Sequence, residues 1–107
     1  MKLPELNNRD LAEACVAFQV SKLYAFGSVV TETMKPESDL DFLVVFERSG
    51  FEGAFGQYVG FKSRLEKLFE RKVDLYTDRK FRNPVFDQEV RETKVLIYDS
   101  ENEKAAV

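Results

Sequence analysis

The chain has 107 residues, a formal net charge of −3 and a hydrophobic fraction of 44% that includes ten phenylalanines. That is the size of one domain with enough apolar surface for a core, which excludes a disordered chain, and the acidic balance argues against nucleic-acid binding by bulk positive charge. There is no histidine and one cysteine, Cys15. Zinc sites built on His, Ser-His-Asp triads, His general bases and internal disulfides are therefore excluded together, and any catalysis must rest on carboxylates, backbone dipoles and metal ions.

Met1 leads into "KLPELNNRD", with no apolar h-region and no run of about 18 apolar residues, so a cytoplasmic chain without membrane contact is expected. A helix is predicted from Arg9 to Val20, where Leu11, Ala14, Cys15 and Phe18 recur at i, i+3, i+4 and i+7 and Asn7 or Asn8 can cap. Cys15 lies on that stripe and reads as core. Lys22–Phe26 reads as a short aromatic strand stopped by Gly27. "DFLVVF", Asp41–Phe46, is the near-continuous apolar run of a strand covered on both faces.

The stretch "ERSGFEGAFGQYVG" holds four of the five glycines, at a spacing that fits neither GxGxxG nor a Walker loop. It reads as a flexible connection into a helix over Gln57–Arg71, whose apolar stripe is Tyr58, Phe61, Leu65, Leu68 and Phe69. Lys72–Thr77 is a third strand. Asn83 as cap and Pro84 in the first turn open the next helix, and Val95–Tyr98 is a last strand. The polar tail from about residue 99 is expected to fray. Helices and strands alternate throughout, so the class is α/β (α+β), a single domain over 1–107 with helices packed on a sheet.

Two aspartates stand at the mouth of the apolar "DFLVVF" strand. Side chains alternate along a strand, so Asp39 and Asp41 project to one side with Cα atoms roughly 7 Å apart. At an effective dielectric near 20 they repel by about 2–2.5 kcal/mol. A divalent cation offsets that cost, since hard oxygen ligands are what Mg²⁺ takes. Asp74, in the apolar strand "VDLYT", can complete a three-carboxylate cluster if its strand lies beside Asp41–Phe46. Such clusters hold two metals that activate an attacking oxygen and stabilise a leaving phosphate. Upstream, Gly27-Ser28 follows a strand and opens a short turn or helix, a place where backbone N–H groups receive anions.

This layout resembles the nucleotidyltransferase superfamily with the polymerase-β-type palm, and most of all its minimal nucleotidyltransferase (MNT) members. Gly27-Ser28 matches the family's Gly-Ser, Ser38-Asp39-Leu40-Asp41 its Ser-Asp-x-Asp, and Asp74 its third acid. The resemblance implies a mixed sheet of about four strands, with Asp39 and Asp41 binding both of two Mg²⁺ ions. Asp74 would bind one of them and help activate the incoming hydroxyl, and Gly27 and Ser28 would hold the phosphates of ATP. It further implies an antitoxin in a hetero-oligomer with a HEPN-domain toxin, transferring AMP to a toxin tyrosine. The chain departs from the family's Gly-Ser-x-Ala-Arg-Gly: Thr31 and Glu32 stand where Arg and Gly are expected. A lost Arg removes a phosphate contact of roughly 1.5–3 kcal/mol. A weak or silent site that neutralises its partner by binding alone is therefore the alternative.

Overall fold

A computed structural model describes residues 6, 8–31, 35, 38–47, 53–77 and 81–101. Four helices and four strands alternate along them: α1 (Arg9–Ala17), β1 (Val20–Phe26), α2 (Ser28–Thr31), β2 (Leu40–Phe46), α3 (Ala54–Phe69), β3 (Val73–Thr77), α4 (Pro84–Thr93) and β4 (Val95–Asp99). The strands form one mixed sheet in the order β3-β2-β1-β4. β1 is antiparallel to both β2 and β4, while β2 and β3 run parallel, joined by the crossover through α3. The fold class matches the α+β expectation, down to the mixed four-stranded sheet.

Period-2 alternation divides the strands between two apolar clusters. Leu40, Phe42 and Val44 of β2, Leu23 and Ala25 of β1 and Val73 and Leu75 of β3 join Leu11, Ala14 and Cys15 of α1 and Phe61, Leu65 and Phe69 of α3. On the other face Leu43, Phe26 and Val90 are buried, with Tyr24, Tyr76, Phe81 and Phe86 packed around them under α4. Both faces of "DFLVVF" are thus covered, as the unbroken apolar run requires.

Capping chemistry sets several element ends. Asn8 accepts from the Leu11 amide at 2.8 Å, and Asn83 accepts from the amides of Val85 and Phe86 with Pro84 in the first turn. α1 stops at Ala17, three residues short of the expected Val20. Gln19 adopts φ 55, and Val20 already pairs with Phe46 in the sheet. α3 begins at Ala54 and ends at Phe69, where Glu70 at φ 53 closes it. Gly56, expected in the flexible connection, is therefore helical, and Gly60 is helical as expected. The reason is tertiary. Gln57 is buried and donates to the Phe18 carbonyl at 2.8 Å, and a Cβ on Gly60 would come within 2.6 Å of the Phe18 ring. β4 runs on to Asp99, which pairs with Lys22, and Ser100 is buried. Residues 102–107 of the expected frayed tail lie outside the described residues. Among the described residues no helix is long and apolar enough to cross a membrane.

Candidate active site

The parallel pairing of β2 with β3 puts Asp41 directly beside Asp74 in register, one step after Leu40 beside Val73. The condition set for the third acid is met: its strand is the neighbour of β2. Asp39 sits just before β2, which begins at Leu40, and all three aspartates are partly exposed. Asp41, Leu43, Asp74 and Tyr76 share the sheet face under α4, so the acids continue the line of the aromatic cluster.

This crowding has an electrostatic signature. The Asp41 carboxyl is pushed up to about 6 by burial first, then by the Asp74 and Asp39 carboxylates and by a hydrogen bond with Asp74. A proton retained between like charges does what a cation would do better. The donors are all hard oxygens, the set that suits Mg²⁺-like ions rather than thiophilic ones. Among the described residues, however, no three His, Cys, Asp or Glu side chains already stand as a metal-binding group. The preassembled unit is the Asp41–Asp74 pair, with Asp39 beside it within electrostatic reach.

Gly27 is required here for two reasons. Its φ of 78 is left-handed, and a Cβ added to it would overlap Asp41 Oδ2 and lie 3.3 Å from Asp41 Cγ. The end of β1 can therefore pass against the carboxylate only without a side chain. Ser28 opens α2 directly after it, as the strand–Gly-Ser–helix reading expects. Thr31 is the last residue of α2, while Glu32, the other departure from the family pattern, lies outside the described residues.

A groove of about 160 Å³ runs between the acids and α4, lined by Phe26, Gly27, Asp41, Tyr76, Phe86, Glu89, Val90 and Thr93. Sequence reasoning missed the α4 contribution. The signal lay in the spacing of Phe86, Glu89, Val90 and Thr93, the i, i+3, i+4, i+7 face of that helix. Tyr76 was missed too, although it stands two residues after Asp74 on the same strand face. Its ring packs 5.6 Å from that of Phe26 and 5.5 Å from that of Phe81. Its hydroxyl is pushed upward by burial, then by Asp74, Asp41 and Tyr58. A larger hollow on the outer side of α1, by Arg9, Ala12, Glu13, Val16 and Ala17, lies away from the acids.

The family model for the nucleotidyltransferase domain matches residues 9–98. A candidate protein adenylyltransferase of Methanocaldococcus jannaschii is 29% identical over 80 residues, 75% of this chain and 79% of the relative. Among solved structures, one described as a candidate minimal nucleotidyltransferase is 28% identical with a TM-score of 0.68, over 89% of this chain and 95% of its own. A toxin–antitoxin crystal structure with AMP-PNP matches at TM-score 0.66 and 18% identity, over 94% of this chain and 80% of its own. A complex of tri-AMPylated Shewanella oneidensis HEPN toxin with MNT antitoxin matches at 0.59 and 16%, over 97% and 79%. The last two likenesses concern the fold.

Proposed function

The chain belongs to the nucleotidyltransferase domain family and is a nucleotidyltransferase, and we propose that it transfers AMP from ATP to a hydroxyl of a partner protein in a Mg²⁺-dependent reaction. The observation that carries this reading is the in-register Asp41–Asp74 pair packed against Gly27, with Asp39 one residue before the same strand. Asp41 and Asp74 would hold divalent ions, and Asp39 would complete the set by turning its side chain toward them. Ions bound there, two in number, would polarise the transferred phosphate and offset its charge. Gly27 and Ser28 would receive the triphosphate at the end of β1, where the absent Cβ already lets the backbone lie against the Asp41 carboxylate. The acceptor oxygen forms a bond to the α-phosphorus, the α–β bridging bond breaks, pyrophosphate departs, and the hydroxyl proton is released toward Asp74.

Among the described residues the groove lining carries two carboxylates, Asp41 and Glu89, and no Lys or Arg. Phosphate charge would be offset by metal ions and by basic groups outside this described lining. The M. jannaschii relative supports protein as the acceptor class. The folds shared with toxin–antitoxin complexes support a HEPN-domain toxin as the partner and an antitoxin role, and the family resemblance adds a toxin tyrosine as the acceptor. The same basic-poor lining favours one second reading, neutralisation of the partner by contact alone.

Transfer of label from α-labelled ATP to the HEPN-domain protein, with and without Mg²⁺, separates the two. Metal-dependent label that disappears in Asp41→Asn and Asp74→Asn is expected. Tight partner binding with no label would leave the contact reading in its place.

A further inference from the structure

The turn between α3 and β3 carries a set of ties, all immediately upstream of the acids. Glu66 Oε2 accepts from the Val73 amide at 3.0 Å, and the Lys72 carbonyl accepts from the Leu40 amide at 3.0 Å. Arg71 Nη1 donates to the carbonyl oxygens of Lys35 and Ser38, each at 3.2 Å. Lys35 and Ser38 are themselves joined in both directions: the Ser38 amide donates to the Lys35 carbonyl at 2.9 Å, and the Lys35 amide donates to Ser38 Oγ at 2.9 Å. The backbone of Asp39 is thus held on both sides. Arg71 grips it through Ser38 on one side, and the start of the β2–β3 ladder grips it through Leu40 on the other.

We propose that Arg71 is a positioning residue for the transfer reaction: its guanidinium latches Lys35 and Ser38 to the foot of β3 and so sets Asp39 beside the Asp41–Asp74 pair. The inference rests on the reading that these acids bind metal. Asp39 is the acid with no place in a strand, so the β2–β3 ladder that sets Asp41 against Asp74 holds it only from one side, through Leu40. A cation that is always charged, bonding two carbonyls, supplies that constraint without adding a negative group to an acidic site. A residue that acts through the backbone of a ligand belongs to the shell around a metal site, where substitutions typically weaken metal affinity by about 10–100-fold.

The competing explanation is that Arg71 only stabilises the C-terminal end of α3 through the helix dipole. Arg71→Met keeps the packing of the stem and removes the donor and the charge, while Arg71→Lys restores both. Amide hydrogen exchange on metal-free protein and Mn²⁺ binding by electron paramagnetic resonance are read on each. In Arg71→Met, exchange at Ser38 is expected to accelerate about tenfold while Leu23 in mid-sheet stays protected. Mn²⁺ affinity is expected to fall about tenfold, with partial recovery in Arg71→Lys. Unchanged Mn²⁺ affinity in Arg71→Met, whatever its melting temperature or Ser38 exchange, overturns the proposal and leaves the metal reading standing. A wild type whose Mn²⁺ binding is absent, or is insensitive to Asp41→Asn, overturns the metal reading and this proposal with it.

Discussion

The two faces of the sheet are built from the same strands and carry opposite kinds of residue. Toward α1 and α3, β2 presents Leu40, Phe42 and Val44, all buried in the larger cluster. Toward α4 the same strand presents Asp41 before Leu43, and β3 presents Asp74 before Tyr76. A face serving stability alone would extend the apolar line of Leu43 and Tyr76 to its end. Here it stops in two adjacent carboxyl groups, and burial first, then the neighbouring carboxylates, raise Asp41 to about 6. The larger face supplies enough cohesion for the smaller one to hold an unfavourable charge arrangement. On the proposed reading, site residues are tolerated where the fold depends on them least.

Asp41 and Phe42 are neighbours in the chain and point to opposite faces, so they break the comparison most directly. Asp41→Asn is expected to lower nucleotidyl transfer by about 100-fold or more, the loss of several kcal/mol of transition-state charge stabilisation. Its urea midpoint should stay level or rise, because a like-charge repulsion is removed. Phe42, fully buried with its ring 6.0 Å from that of Phe69, should cost about 3–5 kcal/mol as Phe42→Ala. That is a large part of a typical total stability of roughly 5–15 kcal/mol. Equal destabilisation by the two variants would show that the faces do not divide stability from chemistry.

A pair of glycines sharpens the same contrast with a smaller effect. Gly27 lies against Asp41 with φ 78, and Gly60 lies against Phe18 on the opposite side of the sheet. Gly27→Ala is expected to cost roughly 1–2 kcal/mol for the left-handed backbone and to displace the Asp41 carboxylate. Transfer should drop about tenfold for a shift of that kind. Gly60→Ala should cost roughly 1–3 kcal/mol through overpacking against the Phe18 ring. Per folded molecule, its transfer rate should be that of wild type. Chemical denaturation and active-site-normalised rates on both variants decide whether close packing at Gly27 serves the acid or merely the fold.

Much of this division was legible because it is written in local patterns. The unbroken apolar run of "DFLVVF", the Asn83-Pro84 start of α4 and the Gly-Ser after β1 depend only on near neighbours, and each lies where the pattern places it. The meeting of Asp41 with Asp74 was legible only as a condition. Its register is set by the crossover through α3, and no local signal encodes the pairing of residues with 32 others between them. The ends of α1 and α3 were misplaced for a related reason. Gln57, buried against Phe18 some 40 residues away in sequence, anchors a helix that already begins at Ala54 and carries Gly56, despite the poor helix propensity of glycine. Arg71 read as the last residue of a helix. Its value as a tie to Ser38 depends on the left-handed Glu70 that turns the chain there.

The smallest expected effect concerns the charge that the α4 face tolerates. Asp41 has an ordinary carboxyl value of 3.8 in the unfolded chain and about 6 in the fold, so between those values the folded protein binds more protons than the unfolded one. Stability falls with rising pH wherever that holds. The contribution of this group is therefore fully present below about pH 4 and is lost as pH passes through about 6. Other carboxylates shape the total curve, so the quantity to measure is the melting temperature of wild type minus that of Asp41→Asn from pH 4 to 8. That difference should decline across the window in metal-free protein. Mg²⁺ favours the ionised carboxylate, so on the proposed reading its stabilising effect should be weak at pH 5 and grow above pH 6. Because Asp41 is partly exposed, solvent screening keeps the change modest. A Mg²⁺ effect of equal size at pH 5 and pH 8 would mean that the ion binds elsewhere, and that the strain on this face has a purpose other than holding a metal.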